Sequence, residues 1–226
     1  MSGDVDRGVT GIGVDFGASI ERLQLDEGSW VDIARGWVVG ADELFERLLA
    51  DVAWQSSRLF RYDHWVEERR LGSMWRRGQP LPHPGLAAVH RGLQDRYGVE
   101  LGGFGLIQYR DGRDGQGFHR DTDMRWLDDT IVAIVSLGAR RPWLLRPRSS
   151  RDPLRPQSGA VHDLAPGPGD LIVMGGRCQA DWEHSVPYLK DRLDLGTRIS
   201  LQWRHAHKRG RPFMGSSYRA PLTYGR

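Results

Sequence analysis

A single cysteine, Cys178, stands among 226 residues. No intrachain disulfide can form, so the chain suits a reducing, cytoplasmic setting. No apolar run nears the ~20 residues that a membrane-spanning helix needs. The N-terminus has no basic patch followed by an apolar stretch, which argues against secretion. No internal repeat is visible, and no linker divides the chain. Strong charge of one sign is missing too. Thirty-two Lys+Arg face 29 Asp+Glu, and the net charge of +3 permits a polyanionic partner without demanding one. Tryptophan, by contrast, is plentiful at nine residues. These either fill a core or line a site for flat ligands.

Residues 1–20 are glycine-rich and aperiodic and read as a flexible leader. A helix is expected over 41–53, where Leu44, Leu48 and Leu49 share one face. Pro84 opens a second helix through about Tyr97, with Leu86, Val89, His90 and Leu93 as its buried stripe. After Gly98 short apolar runs alternate with Gly, Pro and Asp clusters. Strands are expected at 104–110, 130–137, 142–147, 159–164, 170–176 and 198–204. Such a pattern predicts an α+β, mainly β chain: an antiparallel sandwich or barrel with N-terminal helices packed outside. Residues 146–157 read as an exposed loop and 211–226 as a basic, irregular tail.

The segment 118–123 is FHRDTD. On an extended strand, residues two apart point to the same side, so His119 and Asp121 could reach one ion. His184, just before Pro187, is the best third ligand. Two histidines and a carboxylate leave open positions on a metal, the arrangement of non-haem iron oxygenases. A lone His-x-Asp is unspecific, and a zinc hydrolase would accept the same donors. What discriminates is RISLQWR at 198–204. With period two, Arg198, Ser200, Gln202 and Arg204 share one face, and Ile199, Leu201 and Trp203 the other. Two arginines inside a small barrel are costly unless anions meet them, and a dicarboxylate cosubstrate supplies those anions. An edge strand with a solvated arginine face would show the same pattern.

Several stretches in order carry a resemblance: YRDGRDGQGFHRD (109–121), IVAIVSLGARR (131–141), PGDLIVMGGRCQADWEHSVP (168–187) and RISLQWR (198–204). Together they resemble the AlkB-like alkylation-repair dioxygenases. That resemblance implies a double-stranded β-helix, or jelly-roll, core at about 100–204. It implies a nucleotide-recognition lid at about 54–83, within one dioxygenase domain over 21–210. It implies Fe(2+) at His119, Asp121 and His184, with 2-oxoglutarate and O2 as cosubstrates. Arg198 then matches the partner of the distal carboxylate of 2-oxoglutarate. Arg204 matches an arginine near its metal-bound end, and Tyr109 a hydrogen-bonding tyrosine. Asp123 matches a carboxylate near the target base. The family often carries Asn two positions before the tyrosine; here Ile107 stands there, and Gln108 faces the other way.

The stretch 58–77 interleaves arginines with aromatics, as phosphate contacts and stacking platforms require. Trp75 or Tyr62 is the expected stacking residue, although such aromatics also serve as lid core. The resemblance implies oxidative demethylation of N-alkylated bases in nucleic acid, of the 1-methyladenine or 3-methylcytosine type, with release of formaldehyde. DNA is favoured over RNA, and a monomer is the default. Two alternatives stay open: an oxygenase acting on a protein, lipid or metabolite, and a non-catalytic jelly-roll that binds nucleic acid.

Overall fold

The computed structural model describes residues 5–7, 11–61, 64–148 and 159–214. The chain runs through β1 (Val5–Arg7), β2 (Gly13–Asp15), β3 (Ile20–Gln24), β4 (Ser29–Ala34), β5 (Val38–Val39) and helix α1 (Ala41–Asp51). A hairpin of β6 (Gln55–Arg61) and β7 (His64–Arg76) follows, then α2 (Leu86–Tyr97). Next come β8 (Gly103–Tyr109), β9 (Gln116–His119), a 3-10 turn (Thr122–Met124), β10 (Thr130–Gly138) and β11 (Leu144–Pro147). The last elements are β12 (His162–Asp163), β13 (Leu171–Gly176), α3 (Cys178–Asp181), β14 (Trp182–Val186) and β15 (Arg198–Ala206).

An eight-stranded sheet has the order β3-β4-β13-β10-β15-β8-β7-β6, and a four-stranded sheet the order β12-β11-β14-β9. Every pairing is antiparallel. One hydrophobic cluster lies between the two sheets, with Val132, Ile134, Ile172 and Met174 from the large one and Leu145, Trp182 and Val186 from the small one. A second cluster covers the outer face of the large sheet, where α1 and α2 supply Leu44, Leu48, Leu86, Val89 and Leu93. The result is the expected jelly-roll with helices outside. β10 and β13 sit at the middle of the large sheet, buried on both faces, which is why TIVAIVSL and LIVM are unbroken apolar runs.

Several expectations need correction. The leader is not loose from residue 11 onward: Ile12 and Val14 are fully buried in the outer cluster. Burial of alternate residues in a short strand overrides the glycine-rich composition around them. Strands also precede the helices, and β3 and β4 extend the large sheet. The stretch expected as a lid contains the β6–β7 hairpin, whose Leu71–Arg76 stretch pairs with β8, so it continues that sheet. The tail is held at its start, since the Phe213 N–H meets the Arg125 carbonyl and the Arg125 guanidinium donates back to the Phe213 carbonyl at 3.1 Å. Most of the 146–157 loop lies outside the described residues. Among the described residues, no helix is long and apolar enough to cross a membrane.

One glycine bears on the site. Gly138 ends β10 with φ +76°, paired with Arg198, and a Cβ there would lie 2.5 Å from the Phe45 ring. Only glycine fits both the backbone and the space.

Candidate active site

His119 ends β9 and lies opposite His184 of β14 in the small sheet. Their ring centroids are 4.2 Å apart. Asp121 is not on the strand, as its spacing had suggested. It caps the 3-10 turn that follows, and its N–H is pinned by the Gln179 side chain at 2.8 Å. The turn still brings its carboxylate 3.9 Å from His119 Nε2. One donor atom from each of His119, Asp121 and His184 lies within 4.8 Å of the others, a group that could hold one metal ion. His119 Nδ1 sits 3.0 Å from the Gly117 carbonyl. A proton donated there leaves Nε2 with its lone pair for a metal.

Electrostatics suit cation binding. Burial pushes the His119 pKa down, and burial together with His119 pushes His184 to about 3. Both rings are therefore neutral ligands at ordinary pH. Burial would raise Asp121, but Arg204 and the two imidazoles outweigh it and hold the carboxyl well below its usual range. Trp143 stacks on His184 at 5.4 Å and 14°, fixing the ring plane.

β15 carries both arginines on the face turned toward the small sheet. Arg204 Nε donates to Asp121 Oδ2 at 2.8 Å, and Nη2 reaches Oδ1 at 3.3 Å and Gln202 at 2.8 Å. Arg198 is wholly buried. Its Nη2 donates to Ser136 and Ser200 hydroxyls at 3.0 Å each, while Nε and Nη1 have no partner. Burial pulls its pKa down to about 10, against the pull of Tyr109. Tyr109 pairs with Arg198 across β8 and β15, and the Arg198 guanidinium lies 5.8 Å from its ring centre. A buried arginine with two unmet donors fits a ligand carboxylate, which offers paired acceptors in the matching geometry.

Of the remaining expected residues, Asp123 sits exposed in the 3-10 turn, near enough for its charge to reach Arg204. Tyr62 lies outside the described residues. Trp75 is a correction: it pairs with Phe104, stacks on that ring at 5.2 Å, and packs against the outer cluster. It therefore points away from His119 and Arg198. Arg70, five residues earlier, takes the opposite face. Its guanidinium is held by Glu68 at 2.8 Å, lies 3.5 Å from the Tyr109 hydroxyl, and donates to Gln116. The interleaved stretch contained Arg70, but only its register against β8 shows that it belongs to the site. Gln179 and Ser136 had no signal of their own in the sequence, whereas Ser200 was legible as a neighbour of Arg198 on one strand face. Ile107 lies opposite Ser200, and Gln108 is buried on the other face, as alternation required. Cys178 is packing: its thiol is buried, 3.3 Å from the Trp30 carbonyl, and burial pushes its pKa up to about 12.

The model of the 2OG-Fe(II) oxygenase superfamily matches residues 101–204. This family uses Fe(II), 2-oxoglutarate and O2. The chain is also 27% identical over 176 residues to alpha-ketoglutarate-dependent dioxygenase alkB homolog 3 of Bos taurus, covering 73% of this chain and 61% of the bovine protein. It is 28% identical over 179 residues to DNA oxidative demethylase ALKBH2 of Homo sapiens, covering 73% of this chain and 68% of the human one. The chain thus spans between 61% and 68% of the length of these two relatives. A solved prolyl hydroxylase from Trichoplax adhaerens, in complex with a hypoxia inducible factor peptide fragment, shares the fold. Its TM-score is 0.54 at 11% identity, covering 76% of this chain and 82% of that one.

Proposed function

We propose that this chain is an Fe(II)- and 2-oxoglutarate-dependent dioxygenase that demethylates N-alkylated bases in nucleic acid, DNA before RNA. The observation that carries the cosubstrate is Arg198, a fully buried guanidinium with two donors unmet. The substrate class rests on the similarity to alkB homolog 3 and ALKBH2.

In this reading His119, Asp121 and His184 hold the iron, whose bound chemistry activates dioxygen to hydroxylate an N-methyl group. The hydroxymethyl group then leaves as formaldehyde and restores the base. Arg198 fixes the far carboxylate of 2-oxoglutarate, and Ser136 and Ser200 hold its guanidinium in place. Tyr109 donates its hydroxyl toward the same ligand. Arg204, gripping Asp121, keeps that carboxylate ionised and aimed. It also adds positive charge near the end of 2-oxoglutarate that meets the metal. Asp123 at the rim accepts a hydrogen bond from an exocyclic amine of adenine or cytosine. A base in a duplex must first leave the stack, at a cost of a few kcal/mol that is smaller for an unpaired lesion.

The test is to incubate the protein with iron, 2-oxoglutarate and ascorbate, and with DNA and RNA oligonucleotides carrying 1-methyladenine or 3-methylcytosine. Mass spectrometry should show loss of the methyl group, matched by succinate. Succinate formation stimulated by a peptide or metabolite, with the oligonucleotides untouched, would replace the nucleic-acid reading. No succinate with any substrate, or succinate formation that is unchanged in His119→Ala, would remove the dioxygenase reading.

A further inference from the structure

Tyr109 has a second guanidinium beside it. Arg141 lies between β10 and β11 and is 1% exposed. Its Nη1 donates to the Asp111 carbonyl and its Nη2 to the Asp114 carbonyl, each at 2.8 Å. Its Nε is buried without a partner. The neighbouring carboxylates are engaged elsewhere: Asp111 by Arg113 at 2.6 Å and Asp114 by Arg110 at 2.8 Å. The guanidinium carbon of Arg141 is 5.5 Å from the centre of the Tyr109 ring, against 5.8 Å for Arg198.

Two buried cations therefore lie near one phenol ring, and among the described residues neither has a carboxylate within hydrogen-bonding distance. Bracing the 111–114 loop explains the two Nη contacts of Arg141. It does not explain why a full charge is buried for a task that a neutral amide could share, nor why Nε is left unmet. Like charges repel strongly where water is excluded, so an anion that met both guanidinium groups would offset that cost. Three donor nitrogens lack acceptors here, Nε and Nη1 of Arg198 and Nε of Arg141. A carboxylate has two oxygens and about four acceptor positions, enough for all three.

We propose that Arg141 is a second cation of the pocket that takes the distal carboxylate of 2-oxoglutarate, acting with Arg198 beside the Tyr109 ring. This rests on the 2-oxoglutarate reading above and adds a specificity role. Paired cations make the site select 2-oxo acids with an anionic far end over those with a neutral one. The three functional parts then divide cleanly: metal at His119, Asp121 and His184, carboxylate support at Arg204, and far-end selection at Arg141 with Arg198.

Anaerobic calorimetry on the Mn(II)-loaded protein tests this without turnover. The ligands are 2-oxoglutarate and 2-oxopentanoate, which has a methyl group in place of the distal carboxylate. The wild type should bind 2-oxoglutarate far more tightly. Arg141→Met should cut that preference by ~10-fold or more, as loss of a charge-assisted contact would. Should Arg141→Met fail to fold, Arg141→Gln keeps amide donors for the loop carbonyls, and the same ratio is read. If either variant weakens both ligands equally and leaves the ratio unchanged, Arg141 is only a brace and the proposal is overturned. A wild type with no preference for 2-oxoglutarate would instead defeat the cosubstrate reading itself, a different result.

Discussion

Arg204 Nε donates to Asp121 Oδ2 at 2.8 Å, so a side chain expected at the cosubstrate holds an expected metal ligand. The contact joins β15 of the large sheet to the turn after β9 of the small one. It makes the metal group dependent on packing between the sheets. Gln179 fixes the Asp121 backbone from α3, while Arg204 fixes its carboxylate.

Arg204→Met should therefore weaken metal binding by ~10–100-fold, the usual effect of removing a group that orients a ligand. Titration of the metal-free protein with Mn(II), followed by electron paramagnetic resonance, measures this directly. A dissociation constant equal to that of the wild type would show that Asp121 is oriented without Arg204.

The metal-free protein should lose stability as pH falls below about 6.5. His184 has its folded pKa pushed down to about 3 by burial and by His119. Between those values the unfolded chain takes up a proton that the folded one refuses. Stability is thus present above the unfolded pKa and is lost as pH falls toward the folded one. His119 and His90 shift in the same direction. Thermal melts in chelator from pH 7.5 to 5 should show a falling Tm, and His184→Gln should flatten that slope. A slope that persists unchanged in the variant would count against His184.

Trp75→Ala should act on stability and not on substrate. The ring stacks on Phe104 at 5.2 Å, meets His90 edge-on at 6.0 Å, and donates to the Gln79 carbonyl at 2.9 Å. Truncating so large a packed side chain costs about 2–4 kcal/mol, less than for a fully buried tryptophan because this one is partly exposed. Denaturant unfolding should show that loss, while KM for a methylated oligonucleotide stays within about twofold. A large rise in KM at unchanged stability would return Trp75 to the substrate face.

Local periodicity was enough for much of the site. RISLQWR placed Arg198, Ser200, Gln202 and Arg204 on one face because strand side chains alternate by covalent geometry, whatever the fold around them. The same rule set Gln108 apart from Tyr109. Unbroken apolar runs marked β10 and β13 as central strands. His119, Asp121 and His184 were legible as a set only through the ordered motifs around them, since a lone His-x-Asp is unspecific. Their grouping in space needed only that the flanking motifs be in order.

Tertiary structure decided the rest, and the reason is register. Alternation puts Trp75 and Arg70 on opposite faces of β7, but it cannot say which face meets the metal. Pairing of Trp75 with Phe104 settles that, turning Trp75 outward and Arg70 toward Tyr109. Ile12 and Val14 belong to the core because α2 packs over β2, a contact between residues more than seventy positions apart. Arg204 on Asp121 and Arg141 beside Tyr109 are likewise long-range meetings with no local signal. The sequence by itself determined which chemical groups the site contains. Only the packing of two sheets decided which of them face one another, because hydrogen-bond register and sheet stacking are properties of pairs of segments and not of either one alone.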